Sequence, residues 1–161
     1  KAAAGDTEGA IVALKKTLEV GPLHTEALLS AAQISLQEKK TDEALSLLVR
    51  AYQSDRSRSD ILLSVASLQA GELKDAKAAT ETLEYAVGTN PNYLEGRYAL
   101  ATLYAAAGKY EDAANLLVGV TKIDEKTTET LTPIIEKLRA GQNPFGATEG
   151  NTSQATTTPA N

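Results

Sequence analysis

The chain has 161 residues and a net charge of −5, with no Cys, no Trp and a single Phe, Phe145. Without Cys, disulfides, thiol catalysis and Cys-held zinc are excluded, although no compartment is chosen. Basic residues form only pairs such as Lys15-Lys16 and Lys39-Lys40, with Arg56 and Arg58 close together, so the concentrated basic face that nucleic acid requires is missing. No segment approaches the ~20 apolar residues of a membrane span, so membrane insertion is not expected either.

The apolar content is mainly Ala and Leu, which are strong helix formers whose small or straight side chains suit thin layers of paired helices. Residues 1–24 begin with Ala2, Ala3 and Ala4, read as the tail of one helix. A second helix follows, with Ala10, Leu14 and Thr17 at i, i+4 and i+7 on one face. Gly21-Pro22 stops it and turns the chain. In residues 25–58 a first helix carries Leu28, Ala31 and Ala32, and a second carries Ala44, Leu48 and Ala51. The same pair recurs in 60–93, as Leu63, Ala66 and Ser67, then Ala79, Leu83 and Ala86. One extra residue is placed between Arg56 and Asp60. Asn90-Pro91 closes this unit, and Asn92 followed by Glu95 predicts a helix start. Residues 94–127 give Leu100, Ala101 and Tyr104, a turn at Ala107-Gly108-Lys109, then Ala113, Leu117 and Val120. Gly108 is expected to close its helix in the left-handed conformation. Spacings of 34, 35 and 34 connect Ala10, Ala44, Ala79 and Ala113, and likewise Leu14, Leu48, Leu83 and Leu117.

Residues 128–140 continue the frame through Leu131, Ile134, Ile135 and Leu138. Pro133 is expected at the first helical position behind Thr132, where a missing N–H costs nothing. Residues 141–161 lose all periodicity, carry one charged side chain, Glu149, and are expected to be a disordered tail.

The run Leu100-Ala-Thr-Leu-Tyr104, Gly108-Lys-Tyr110-Glu-Asp-Ala113 and Leu117 resembles the tetratricopeptide repeat, and the resemblance extends over about residues 1–139. Earlier units depart from the pattern: Arg56 and Glu125 stand where Pro22 and Pro91 stand, and Leu28, Leu63 and Arg97 replace the large aromatic that often opens the first helix. The resemblance implies an all-α fold, a right-handed superhelical solenoid of antiparallel helix hairpins. Residues 25–58, 60–93 and 94–127 are then complete repeats. Residues 1–24 are a partial repeat, mainly its second helix, and 128–140 a terminal capping helix. Because a solenoid ordinarily ends in polar caps, the partial first unit predicts further repeats or domains before Lys1.

Chemistry is not expected in this chain. Its single His, His24, lies in a connection without an orienting partner or nucleophile nearby. Glu111-Asp112 and Asp124-Glu125 are sequence neighbours at helix ends, whose side chains diverge and serve solvation and the helix dipole. No phosphate-binding glycine loop or paired-His metal motif occurs, so neither cofactor nor metal is assigned. In the tail, Asn143-Pro144-Phe145 resembles the tripeptide bound by EH domains, and is read first as a helix terminator with an apolar anchor. Asn151-Thr152-Ser153 fits the N-glycosylation pattern, which matters only in a compartment equipped for it.

The resemblance also implies a concave groove lined by first helices. The matching positions are Glu26, Leu29, Gln33 and Leu36; then Ile61, Ser64 and Leu68; then Glu95, Tyr98, Thr102 and Ala105. The subclass that clamps the terminal carboxylate of heat-shock chaperones uses cationic and amide side chains at positions held here by Leu29, Gln33, Val65, Glu95 and Ala99, which cannot supply those hydrogen bonds. The expected function is a non-enzymatic scaffold binding a protein partner, as a peptide or helix, in a neutral-to-acidic groove. The alternatives are a structural spacer or self-assembly arm, or the C-terminal repeat region of a larger enzyme or membrane protein.

Overall fold

A computed structural model describes residues 24–146 together with Thr17, Val20 and Gly21. The expectations for the partial first unit, for residues 147–161 and for Asn151-Thr152-Ser153 lie outside the described residues.

Seven α-helices occur among the described residues: α1 (Thr25–Gln37), α2 (Thr41–Ser54), α3 (Ser59–Gly71), α4 (Ala76–Thr89), α5 (Leu94–Ala106), α6 (Tyr110–Ile123) and α7 (Thr128–Arg139). A 3₁₀ turn, Glu125–Thr127, leads into α7. First helices of a pair have 13 residues and second helices 14, except α7 with 12. The chain divides into two compact units within α5, after Leu100.

In the first unit α1 packs on α2, α2 on α3 and α3 on α4. Ala44, Ala51, Ala79 and Ala86 are wholly buried along the second helices, where a methyl group lets helix axes approach. Leu28, Leu48, Ile61, Val65, Leu68 and Leu83 fill the spaces between them. Hydroxyls fasten the ends of the pairs. Thr25 Oγ1 and Ser54 Oγ lie 2.7 Å apart, and one repeat later Asn90 Nδ2 donates to Ser59 Oγ at 3.2 Å. In the second unit α6 packs on α7, around buried Ala113, Ala114, Leu117, Val120, Leu131, Ile135 and Leu138.

The connections locate the length variation. Links between pairs always have four residues (55–58, 90–93, 124–127), whereas turns within pairs have three (38–40, 107–109) or four (72–75). The extra residue therefore lies in the α3–α4 turn, not between Arg56 and Asp60. The second repeat begins at Ser59, and residues 60–93 start one position late. Similarly α5 begins at Leu94, so Tyr93 rather than Asn92 immediately precedes the helix.

Gly108 adopts φ +75°, with Gly108 N–H donating to Ala105 O and Lys109 N–H to Tyr104 O, a left-handed helix closure. Gly141 closes α7 in the same way, with φ +74°. After α1 and α3, Lys39 (φ 59°) and Lys74 (φ 53°) take this conformation without the freedom of glycine. Lys74→Gly is expected to stabilise the chain by about 1 kcal/mol, seen as a higher urea midpoint with unchanged slope.

Pro133 lies inside α7, which starts five residues before it, contrary to the expected start. Leu131, 6% exposed, draws the preceding turn against its neighbours, and the 3₁₀ turn continues into the helix. Pro133 and Glu129 are both exposed, so the carbonyl that Pro133 leaves without a helical donor is on the solvent side.

Candidate functional site

The first helices of the first unit share one arrangement, read from their starts. Thr25-Glu26, Ser59-Asp60 and Leu94-Glu95 each place an acid at the second helical position, where the positive end of the helix dipole favours it. His24 caps α1, its Nδ1 accepting from Ala27 N–H at 3.3 Å. Its ring is thus committed to backbone, in keeping with a structural role.

Arg58 joins two of the acids across neighbouring repeats. Its Nη1 donates to Glu26 Oε1 at 3.1 Å, while Nε and Nη2 form a paired contact with Asp60 at 2.9 and 2.8 Å. The Asp60 hydrogen bonds, then those of Glu26, raise the Arg58 pKa above its already high ordinary value. Arg58 in turn holds the Asp60 carboxyl below the usual carboxylate range. A depressed carboxylate contributes stability above its unfolded value, about 3.9, and loses it as pH falls through the lower folded value. The Arg58–Asp60 contact is thus lost only in acid, as pH falls through the depressed Asp60 value. Tyr93 lies near this cluster, its pKa raised by burial and then by the Glu95 and Asp60 carboxylates.

An open depression of about 910 Å³ runs along α3 from Leu63 to its end and reaches the end of α1. Its lining includes Leu36, Leu63 and Leu68, the small residues Ser64, Ser67 and Gly71, and the charged pair Lys39 and Glu72. It borders the α3–α4 turn, the one lengthened turn among the described residues. Ser64 and Ser67 hydroxyls donate back to Asp60 O (3.2 Å) and Leu63 O (2.8 Å) of their own helix.

On α1 the expected lining positions are accessible: Glu26, Gln33 and Leu36 are exposed and Leu29 is half-buried. On α5, Glu95 and Tyr98 are exposed. Thr102, half-buried, and Ala105, 1% exposed, belong to the second unit, so Ala105 offers no surface. On α3 the expected set was displaced by one residue. Ile61 and Leu68 are 1% and 5% exposed, and both belong to the core of the first unit. Leu68 reaches the depression only as part of its lining. Of that trio only Ser64 is exposed. Counting from Ser59, the positions equivalent to Glu26, Leu29 and Gln33 are Asp60, Leu63 and Ser67. These three are exposed or half-buried. Val65 is likewise buried, and counting from Ser59 puts Ser64 at the matching position. The recurring hydroxyl-then-acid start, Thr25-Glu26 and Ser59-Asp60, is the sequence signal that sets this register.

Among the described residues no group of three or more His, Asp or Glu side chains is placed to hold a metal, and no helix is long and apolar enough to cross a membrane.

The family model described as tetratricopeptide repeat matches residues 1–68 and 67–129. Solved structures share the fold. One is YrrB, described as a TPR protein with an unusual peptide-binding site: identity is 20% and TM-score 0.62, over 83% of this chain and 70% of that one. A tetratricopeptide repeat protein from Parabacteroides merdae matches at 25% identity and TM-score 0.66, over 79% of this chain and 51% of its own. The first TPR of Spaghetti, bound to the HSP90 peptide SRMEEVD, matches at 20% identity and TM-score 0.58, over 72% of this chain and 93% of its own. No curated protein sequence matches the chain.

Proposed function

The chain belongs to the tetratricopeptide-repeat family, and from that premise we propose that it is a protein-interaction scaffold whose first-helix face holds a partner peptide or helix. One observation carries the reading. Leu36, 41% exposed, lines the open depression, and Tyr98 on α5 is 42% exposed, so each leaves a large apolar group accessible. Tyr98 is the strongest anchor, since a Tyr contributes contact area and a hydrogen-bonding group at low entropic cost. Peptide binding by YrrB and by the first TPR of Spaghetti, as their descriptions give it, supports the same use of this fold.

The chemistry of the face argues against an acidic peptide ending in a free carboxylate. Leu29, Gln33, Ser64, Glu95 and Ala99 provide no cation to neutralise it, and Glu95 repels it. The reading assigns no catalytic group and no cofactor.

Display selection of random peptides on the intact chain, followed by titration against variants, tests the proposal. Leu36→Asp combined with Tyr98→Ala should weaken the selected peptides tenfold or more, equivalent to about 1.4 kcal/mol. Helical circular dichroism should stay unchanged, because neither side chain belongs to the buried core. Equal affinity for parent and variant would remove the first-helix face as the binding surface.

A further inference from the structure

The first-helix face is chemically polarised along its helices. At their starts, Arg58 bridges the Glu26 and Asp60 carboxylates, and Glu95 stands at the matching position of α5. Along α3 from Leu63 and at the end of α1 lies the depression, where Leu36, Leu63 and Leu68 surround small residues and the opposite charges of Lys39 and Glu72 offset one another. Ten helical residues separate Glu26 from Leu36, about 15 Å of rise. On α3 the lining begins at Leu63, one turn from Asp60, so a ligand using both regions carries cations at one end and apolar side chains from one turn to about 15 Å away.

The depression also discriminates by backbone. An extended peptide brings N–H and C=O groups that need partners, because an unpaired buried polar group is costly. The Ser64 and Ser67 hydroxyls give their protons to their own helix, so on α3 they keep lone pairs for a ligand N–H but no proton for its C=O. A helix satisfies its own backbone, and the small surface of Ser64, Ser67 and Gly71 allows close approach of helix axes.

We propose that the occupant is an amphipathic, cationic helix of about three turns, lying along α1 and α3. Its apolar stripe enters the depression, and its Lys or Arg residues stand over Glu95 and the Glu26–Arg58–Asp60 bridge, whose two carboxylates exceed its one guanidinium. The inference rests on the first-helix face being the binding face, and specifies what that face selects.

Three synthetic probes test it against the intact chain by fluorescence anisotropy. The first is an alanine-based peptide of about 14 residues, roughly four turns, with Leu at helical i, i+3, i+4 and i+7 spacing and Arg at one end. The second has the same composition interrupted by two prolines, and the third replaces Arg with Glu. The first should bind, gain helicity, and weaken as salt is raised. The proline and Glu probes should each be at least tenfold weaker.

Gly71→Leu supplies the decisive variant. Gly71 lines the depression and a Cβ there meets no atom within 4 Å, so a larger side chain at this position is accommodated without disturbing the fold. It should reduce affinity for the Arg probe at least tenfold without lowering the melting temperature, and Glu95→Gln should reduce the salt dependence. Failure of the Arg probe to bind, equal binding of the proline probe, or indifference to Gly71→Leu would each overturn the helix assignment. If selected peptides still lose affinity for Leu36→Asp/Tyr98→Ala, any of these failures removes only the helix assignment, whereas selected peptides indifferent to that variant remove the face itself.

Discussion

Ile61→Asp abolishes cooperative folding of the first unit, while Ser64→Asp, three residues away on the same helix, changes stability by no more than about 0.5 kcal/mol. Ile61 is 1% exposed within a cluster that includes Leu28, Leu48 and Val65. A carboxylate there is too short to reach solvent and must be buried charged, take up a proton, or open the packing. The expected cost is above about 4 kcal/mol, a large fraction of the 5–15 kcal/mol typical of a domain. Ser64 is exposed, and the backbone hydrogen bond lost from its hydroxyl is local. Urea unfolding followed by circular dichroism distinguishes the outcomes. Equal tolerance of both substitutions would contradict the position of α3.

Leu83→Ala lowers stability by about 2–5 kcal/mol. Leu83 is 2% exposed on α4, with Ala79 and Ala86 wholly buried on either side. Those alanines are already the smallest side chains that can cover the contact, so they cannot move in to fill the vacated volume. Loss of transfer free energy thus combines with a persistent cavity, and the cost should fall in the upper half of the range. Conversion of Leu83 to Met, which nearly conserves volume, should cost less than about 1.5 kcal/mol. A thermal or urea midpoint that moved equally for Ala and Met would show that packing at this contact is loose.

The second helices were largely legible in the sequence because each buries one narrow face. Ala44, Ala79 and Ala113 are all wholly buried, as their spacing implied. The first helix of the second repeat was harder to place for a physical reason. α3 lies between α2 and α4, and buries Ser59, Ile61, Leu62, Val65, Ala66 and Leu68 over much of its circumference. A helix covered on several sides loses the one-faced periodicity that fixes its phase. Its run Ile61-Leu62-Leu63 fits two registers equally well by hydrophobicity alone. Ser59-Asp60, matching Thr25-Glu26, resolves them, but polar starts weigh little when apolar stripes are being aligned. The left-handed turns divide similarly. Gly108 announces its conformation, whereas Lys39 and Lys74 do not, because hydrogen bonds of the helix closure impose it on residues that would not choose it. Arg58 lay outside the expected lining because its importance comes from reaching Glu26, 32 residues away.

The contrast between constant four-residue links and variable turns gives the chain a preferred place for change. Lengthening a link would displace the next pair of helices and every contact beyond it. An extra residue in the α3–α4 turn leaves α4 in phase, with Ala79 and Leu83 seated as Ala44 and Leu48 are. Doubling a flexible loop costs only about 0.6 kcal/mol in closure entropy. Evolution or engineering can therefore add recognition segments along the turn edge, beside the depression, while the helical scaffold stays the same.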